Sequence, residues 1–179
     1  MNNIDRQRSA TSSTGTNNVA PDPYRFLHWA MLFSPLRDDD LAADAWETLQ
    51  LPGDFSAIAT DFNRCFVLDY PAPKASPIFS ALLQREAGAC REEWMRIAAH
   101  LDMARTGPSL PPDHLALACE IIAHAITRNE QVLLQGILER YVMPWIRAAQ
   151  DACEDPLMQD LLQHFQHDAD QLREAQHAA

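Results

Sequence analysis

The stretch that decides the fold lies at residues 109–146, of which 109–126 read SLPPDHLALACEIIAHAI and 137–146 read ILERYVMPWI. Pro111 and Pro112 stop a preceding helix, because a proline ring fixes φ and disfavours helical backbone at the residue before it. Apolar side chains then recur at helical spacing, at Leu115, Cys119, Ile122 and Ile126. This pattern predicts a helix that begins near Pro112 and buries one stripe of side chains.

The start of this helix carries two side chains that could recognise a ligand. Asp113 and His114 would lie in the first turn, where free backbone N–H groups and the positive end of the helix dipole favour an anionic Asp113 and a neutral His114. A carboxylate beside a neutral imidazole is one hypothesis for a binding site. The alternative is that Asp113 caps the helix and His114 is a solvated neighbour, and the local sequence alone favours this alternative.

Five further helices are predicted in the first half of the chain, four of them from a capping residue or a proline at their start and the fifth from its apolar residues. They are expected from near residue 23, after the acidic run 38–40, after Asp54, after Ser76 as N-cap with Pro77 in first position, and over residues 89–103. Residues 68–77 contain three prolines, which predicts a loop.

The C-terminal half predicts helices over residues 112–127, about 130–149 and about 156–175 from their apolar periodicity. Pro144 lies inside the second of these and should kink it, and we expect Trp145 just beyond the bend to lie in the core. No segment alternates with period two for long. The predicted fold is therefore all-α, a single globular helical domain of two small lobes.

Domain boundaries follow from composition. Residues 1–22 are polar and rich in Ser, Thr and Asn, which predicts a disordered tail. Adjacent Gly and Pro within residues 105–111 predict a hinge between an N-terminal lobe, residues 23–104, and a C-terminal lobe, residues 112–179.

Charge and cysteine usage restrict the class of partner and the compartment. The formal net charge of −11 argues against nucleic acid as a partner and favours basic ligands. The four cysteines are far apart and form no C-x-x-C pair, so we expect them to be reduced and mostly buried, without a zinc or iron–sulfur site. No apolar run has the length of a membrane span and no export signal follows Arg6 and Arg8, which predicts a cytoplasmic protein without stable membrane insertion.

No pattern in the chain supports catalysis. Five scattered glycines cannot build a phosphate-binding loop, and no G-x-S-x-G elbow occurs. His164 and His167 could share a metal with Asp168 or Asp160, but a polar face without metal is favoured, because the helix lacks an inward-facing carboxylate set. We therefore expect no enzyme activity and no metal.

Four segments, taken together, resemble a known family. P-P-D-H-L before an apolar helix, followed by I-L-x-x-Y-V-M-P-W-I, is similar to the paired motifs of the TorD/DmsD family, all-helical chaperones for the maturation of molybdenum-containing redox enzymes. Residues 61–67, DFNRCFV, resemble its F-N-R-L-F segment, and residues 75–80, ASPIFS, resemble its S-P-Y-E-S segment. The likeness covers residues 24–175.

The resemblance implies a TorD-like helical bundle that binds the twin-arginine leader peptide, and the apoprotein, of a molybdopterin oxidoreductase catalytic subunit. It places Asp113 and His114 in the peptide-binding site, with Pro112 shaping the turn and with Tyr70 and Phe79 near the groove. An acidic rim beside a hydrophobic groove would suit such a leader. The hypothesis requires a groove beside the turn around residue 113. The protein would be a monomer or a domain-swapped dimer.

Departures from the family pattern leave alternatives open. Ile78 and Phe79 follow Ser-Pro where relatives often have an aromatic residue and then Glu or Gly, and residues 141–143 replace the usual His-Leu before Pro-Trp. These changes leave room for a NarJ-like assembly factor with a non-exported client. An alternative of another class is a nucleotide- or metal-dependent helical-bundle hydrolase. No cofactor is expected apart from weak guanine-nucleotide binding, which the resemblance alone implies.

Overall fold

The computed structural model describes residues 22–103 and 110–177, and within these ranges the chain forms nine α-helices and no β-strand. The predicted all-α fold is confirmed. The helices are α1 (Pro23–Phe33), α2 (Asp39–Thr48), α3 (Phe55–Phe62), α4 (Phe79–Leu82), α5 (Ala87–His100), α6 (Leu115–Thr127), α7 (Gln131–Ile137), α8 (Met143–Ala152) and α9 (Pro156–His177). A π-helical turn, Asn63–Val67, extends α3, and another, Leu138–Val142, joins α7 to α8.

The predicted tail and most of the predicted hinge lie outside the described residues. The division into two lobes stays a prediction. Helix α1, in the predicted N-terminal lobe, packs along α6, in the predicted C-terminal lobe. None of the helices in the described ranges is both long and apolar enough to cross a lipid bilayer.

Local capping explains why the first three helices begin where they do. The side chains of Asp22, Asp38 and Asp54 accept hydrogen bonds from backbone N–H groups two or three residues later. Each carboxylate satisfies a donor that the helix itself leaves free, and each lies near the positive end of the helix dipole. The predicted starts of α1, α2 and α3 are confirmed.

Part of the core is formed by contacting aromatic rings. One cluster has ring centroids 4.9 to 6.3 Å apart and comprises Trp29, Phe33, Phe62, Phe66, Trp145 and Phe165. Several of these pairs adopt the edge-to-face geometry that the charge distribution of aromatic rings favours. Trp145 is fully buried, as expected from the sequence, and its indole N–H donates to the carbonyl of Ser76 at 2.8 Å.

A buried carboxylate ties α1 to α9. Asp168 accepts from the indole Nε1 of Trp29 at 2.7 Å and from Nε of Arg25 at 2.7 Å. Both of its oxygens are thus occupied by donors on α1, which compensates the cost of burying the charge. In the described part of the chain, no group of three His, Cys, Asp or Glu side chains is placed to hold a metal ion.

Two predicted helix starts are wrong. Helix α4 begins at Phe79 rather than Pro77, and α6 begins at Leu115 rather than Pro112. The reason is a contact between the two segments: Ile78 and His114 form an antiparallel bridge that holds both in extended backbone. Helical backbone begins only after this bridge.

The expectation that all four cysteines are reduced is also wrong. Cys65 and Cys153 form a disulfide with their Cα atoms 6.8 Å apart, whereas Cys90 and Cys119 are buried thiols. The paired residues are separated by 88 positions in the sequence, and they meet because the turn after α3 lies beside the end of α8. Pro144 stands in the first turn of α8, directly after the π-helical turn Leu138–Val142, so the irregularity expected at this proline lies just before it.

Candidate functional site

The turn around residue 113 is joined to the segment before α4 by backbone hydrogen bonds. The N–H of Leu115 donates to the carbonyl of Pro77 at 2.7 Å, and the N–H of Phe79 donates to the carbonyl of Asp113 at 2.9 Å. These bonds flank the bridge between Ile78 and His114. The P-P-D-H-L and S-P-I-F-S segments, which the sequence separates, are therefore one structural unit.

Asp113 lies at the centre of this unit and is fully buried. Its Oδ2 accepts from the backbone N–H of Ser80 at 3.1 Å and from the Ser80 hydroxyl at 2.5 Å. Its Oδ1 accepts from Nε of Arg91 on α5 at 3.2 Å. The carboxylate thus joins the start of α6 to α4 and α5, and it does not cap α6.

His114 is the N-cap of α6, and its Nδ1 accepts from the N–H of Ala116 at 3.2 Å. Burial lowers the pKa of His114 to about 4, although the charge of Asp113 acts in the opposite direction. The imidazole is therefore neutral at pH 7, as the sequence predicted. Burial is the main cause, whereas the sequence argument invoked the helix dipole.

The other three predicted site residues lie in different environments. Phe79 is fully buried and stacks on Trp94 with ring centroids 5.2 Å apart. Pro112 is half-buried in the turn, and Tyr70 is 94% exposed in the proline-rich loop. The structure therefore brings Asp113, His114 and Phe79 together inside the protein and leaves Tyr70 outside. The peptide-binding role of these residues stays a prediction.

A groove lies elsewhere, between α1, α2 and α6, and has a volume of about 880 Å³. Its lining is largely apolar and includes Tyr24, Leu27, Met31, Leu36, Leu41, Met103 and Ala123. Several of these side chains are exposed, among them Tyr24 at 67% and Leu36 at 59%. None of the five predicted site residues lines this groove. We call it the α1/α2/α6 groove.

Acidic side chains accompany the apolar lining. Glu120 on α6 lines the groove, and Asp40 and Asp44 on α2 are exposed one residue before and three residues after Leu41. On a helix, positions i and i+3 share a face, so Asp44 stands beside Leu41. The α1/α2/α6 groove thus combines an apolar wall with acidic neighbours.

Arg37 also lines the groove but is held in the wall. Its guanidinium lies over the rings of Phe55 and Phe62, 5.2 and 5.3 Å from their centroids, and its Nε donates to the carbonyl of Leu32 at 2.9 Å. Burial lowers its pKa, against the opposing charges of Asp39 and Asp38. Among the residues that the structure describes, no acceptor reaches the buried Nη2.

Sequence reasoning missed this groove, although α1 carried a signal. Its buried face includes Phe26, Trp29 and Phe33, yet Tyr24 and Leu27 are large, apolar and exposed on another face. A short helix that is apolar on more faces than its neighbours cover presents a binding surface.

A second groove of about 460 Å³ lies beside α5 and α7. There the hydroxyl of Tyr141 donates to Glu93 at 2.5 Å, and Arg140 pairs with the same carboxylate at 2.7 Å. Partial burial, and then the hydrogen bond to Glu93, raise the pKa of Tyr141. Glu93, which lines this second groove, is thus held by both Tyr141 and Arg140.

The fold and the groove define a class, an all-α protein with an exposed apolar groove between helices. A family model described as "Nitrate reductase delta subunit" matches residues 37–167. The chain belongs to this family of redox-enzyme maturation chaperones, which act in molybdoenzyme assembly, and the predicted resemblance is confirmed. Helix α1 precedes the matched range, whereas α2 and α6 lie within it. Comparison with curated proteins and comparison with solved structures each gave no match.

Proposed function

We propose that this protein is a cytoplasmic chaperone that holds the twin-arginine leader peptide of a molybdopterin oxidoreductase catalytic subunit in the α1/α2/α6 groove, before cofactor insertion and export. The observation that carries the proposal is the exposed apolar lining of the groove, with Glu120 among the lining residues and with Asp40 and Asp44 exposed near Leu41 on α2. A leader of this kind combines an apolar segment with paired arginines. In the proposed complex the apolar lining contacts the apolar segment of the leader, and the carboxylates contact its paired arginines.

Asp113, His114, Phe79 and Pro112 have a supporting role in this proposal. They fix the start of α6 against α4 and α5, and α6 supplies Glu120 and Ala123 to the groove. Tyr70 stands apart from them, exposed in its loop, and we retain it as a contact for the leader or the apoprotein.

Calorimetry with leader peptides tests the proposal. The double variant Leu27→Gln, Leu41→Gln should bind a leader about thirtyfold more weakly than the wild type, because each leucine loses about half of its burial energy of roughly 2 kcal/mol. Leu157→Gln is the matched control, since Leu157 on α9 is 44% exposed and Leu41 is 45% exposed. Equal loss in the control, or no binding of any leader by the wild type, contradicts the proposal.

A second candidate is a NarJ-like assembly factor with a client that is not exported, and the family description favours it. The same groove would then bind an apolar segment without paired arginines. Replacing both arginines of the peptide by lysines separates the two candidates. A large loss of affinity favours the twin-arginine leader, because only arginine offers a planar, bidentate fork to carboxylates, and unchanged affinity favours the second candidate.

The compartment is tested by the thiol state. A leader awaiting export exists in the cytoplasm, where reduced thiols predominate and disulfides are uncommon. Trapping thiols in intact cells shows whether Cys65 and Cys153 are bonded there. A fully reduced pair in cells together with leader binding supports the cytoplasmic location. A fully oxidised pair in cells argues against it.

A further inference from the structure

One end of the α1/α2/α6 groove coincides with the point where the preceding chain enters the fold. Pro23 and Tyr24 line the groove, and Asp22 caps the helix on which they lie. Residues 1–21 therefore join the protein directly at the groove.

The sequence of this segment has the composition of a weak ligand for that groove. Residues 1–21 read MNNIDRQRSATSSTGTNNVAP and contain two arginines, Arg6 and Arg8, against one acidic residue, Asp5. The chain as a whole has 25 acidic and 14 basic residues, so this short segment has the opposite sign of charge. Ile4 precedes the arginines and supplies an apolar side chain.

We propose that residues 1–21 act as an internal competitor, with Arg6 and Arg8 contacting the acidic neighbours of the groove and Ile4 contacting its apolar lining. The client leader binds by displacing this segment. The inference goes beyond the function proposed above, because the contact within the chain does not require that any leader bind there.

The length of the segment permits the contact. The 15 residue-to-residue steps from Arg8 to Pro23 span up to about 50 Å when extended, whereas the 11 residues of α1 span roughly 16 Å. Arg8 can therefore reach any point along the groove wall that α1 forms, including the far end near Leu36 and Leu41.

The tether also removes the need for high affinity. A ligand joined to its site by a short linker acts at an effective concentration in the millimolar range, so an intrinsic affinity of about 1 mM fills the site half of the time. A competitor that fills the site four-fifths of the time lowers the affinity for a leader about fivefold. Such a contact keeps the apolar groove covered between clients and still yields to a leader.

Photocross-linking in the full-length chain tests the contact directly. Gln7, between the two arginines, is replaced by p-benzoylphenylalanine, and the products are mapped by mass spectrometry after irradiation. We expect intramolecular cross-links to Leu27, Met31 or Leu41, and their loss when Arg6→Gln and Arg8→Gln are added. The same probe at Val132, which is exposed on α7, is the control and should not reach the groove.

Three results would overturn the inference: cross-links from position 7 only outside the groove, cross-links that persist unchanged without the two arginines, or cross-links only between molecules. The last would assign the groove to a second copy of the chain.

Leader binding gives an independent measurement. In calorimetry, Arg6→Gln with Arg8→Gln should raise leader affinity about threefold or more, because the competitor is weakened. Arg96→Gln with Arg147→Gln is the control, since it changes the net charge equally at exposed positions of α5 and α8. An equal rise in both variants reflects net charge alone and contradicts the inference. If no leader binds any variant, the function proposed above fails, and the cross-links alone decide the internal contact.

Discussion

Asp113 is a fully buried carboxylate that accepts three hydrogen bonds from Ser80 and Arg91. Its partners lie 33 and 22 positions away in the sequence. The local sequence therefore suggested either a cap or an exposed binding residue, because no pattern within a few positions reports a contact at such a distance. The P-P-D-H-L and S-P-I-F-S segments were recognisable as motifs, but their pairing became visible only in the folded chain.

Replacing Asp113 should destabilise the fold. In Asp113→Ala the buried donors of Ser80 lose their acceptor, and the partly exposed Arg91 loses its ion pair, so we expect the free energy of unfolding to fall by about 3 kcal/mol, mostly through Ser80. Asp113→Asn keeps an acceptor oxygen and should lose less. Urea unfolding measures both, with the exposed Asp44→Ala as control. A loss for Asp113→Ala no larger than that of the control would contradict a structural role.

His114 should make stability depend on pH. Its pKa is about 4 in the folded chain and 6.5 in the unfolded chain, so between these values the unfolded chain binds the additional proton. The stability is complete above pH 6.5 and is lost as the pH falls through about 4, by roughly 3 kcal/mol.

The variant His114→Asn isolates this effect, because Asn remains a good N-cap but does not titrate. Unfolding in urea between pH 7 and pH 4 should show a steeper loss in the wild type than in the variant. Parallel curves would show that His114 is protonated without cost in the folded protein.

At the scale of whole elements, the sequence predicted correctly those helix starts that depend on residues only a few positions away. The starts of α1, α2 and α3 followed from Asp22, Asp38 and Asp54, whose carboxylates act within two or three residues. The starts of α4 and α6 were misplaced, because a bridge between distant segments holds residues 78 and 114 extended. The groove was missed for a related reason. The sequence of α1 shows which of its residues are apolar, but not which of its faces another helix covers.

The disulfide between the turn after α3 and the end of α8 can be tested by counting free thiols. If Cys65 and Cys153 are bonded, the purified protein, unfolded without reductant, should expose two reactive thiols, Cys90 and Cys119. Reduction should raise the count to four and lower the free energy of unfolding by about 2–4 kcal/mol, because the unfolded chain loses a constraint. Cys65→Ser should reproduce the loss, and Cys90→Ser is the control. A count of four before reduction would show that the bond is absent.

The molecule as a whole carries a formal charge of −11, and the apolar groove lies beside three acidic side chains on α2 and α6. Charge of this sign draws a cationic peptide toward the protein, but only the carboxylates next to the groove contact the bound peptide. The two effects respond differently to salt. Screening acts over about 10 Å at 0.1 M ionic strength and over about 3 Å at 1 M, so above about 0.1 M distant charges contribute little and the remaining salt dependence comes from carboxylates close to the bound peptide.

Leader affinity should therefore fall with salt, and the size of that fall should depend on Asp40 and Asp44. Between about 0.05 and 0.5 M NaCl we expect roughly a tenfold loss of affinity in the wild type and about a threefold loss in the double variant Asp40→Asn, Asp44→Asn. The control Asp151→Asn, Glu154→Gln removes the same charge at exposed positions near the end of α8 and should keep the wild-type dependence. If both variants respond alike, total charge rather than the acidic rim governs binding, and the paired arginines are not held beside the groove.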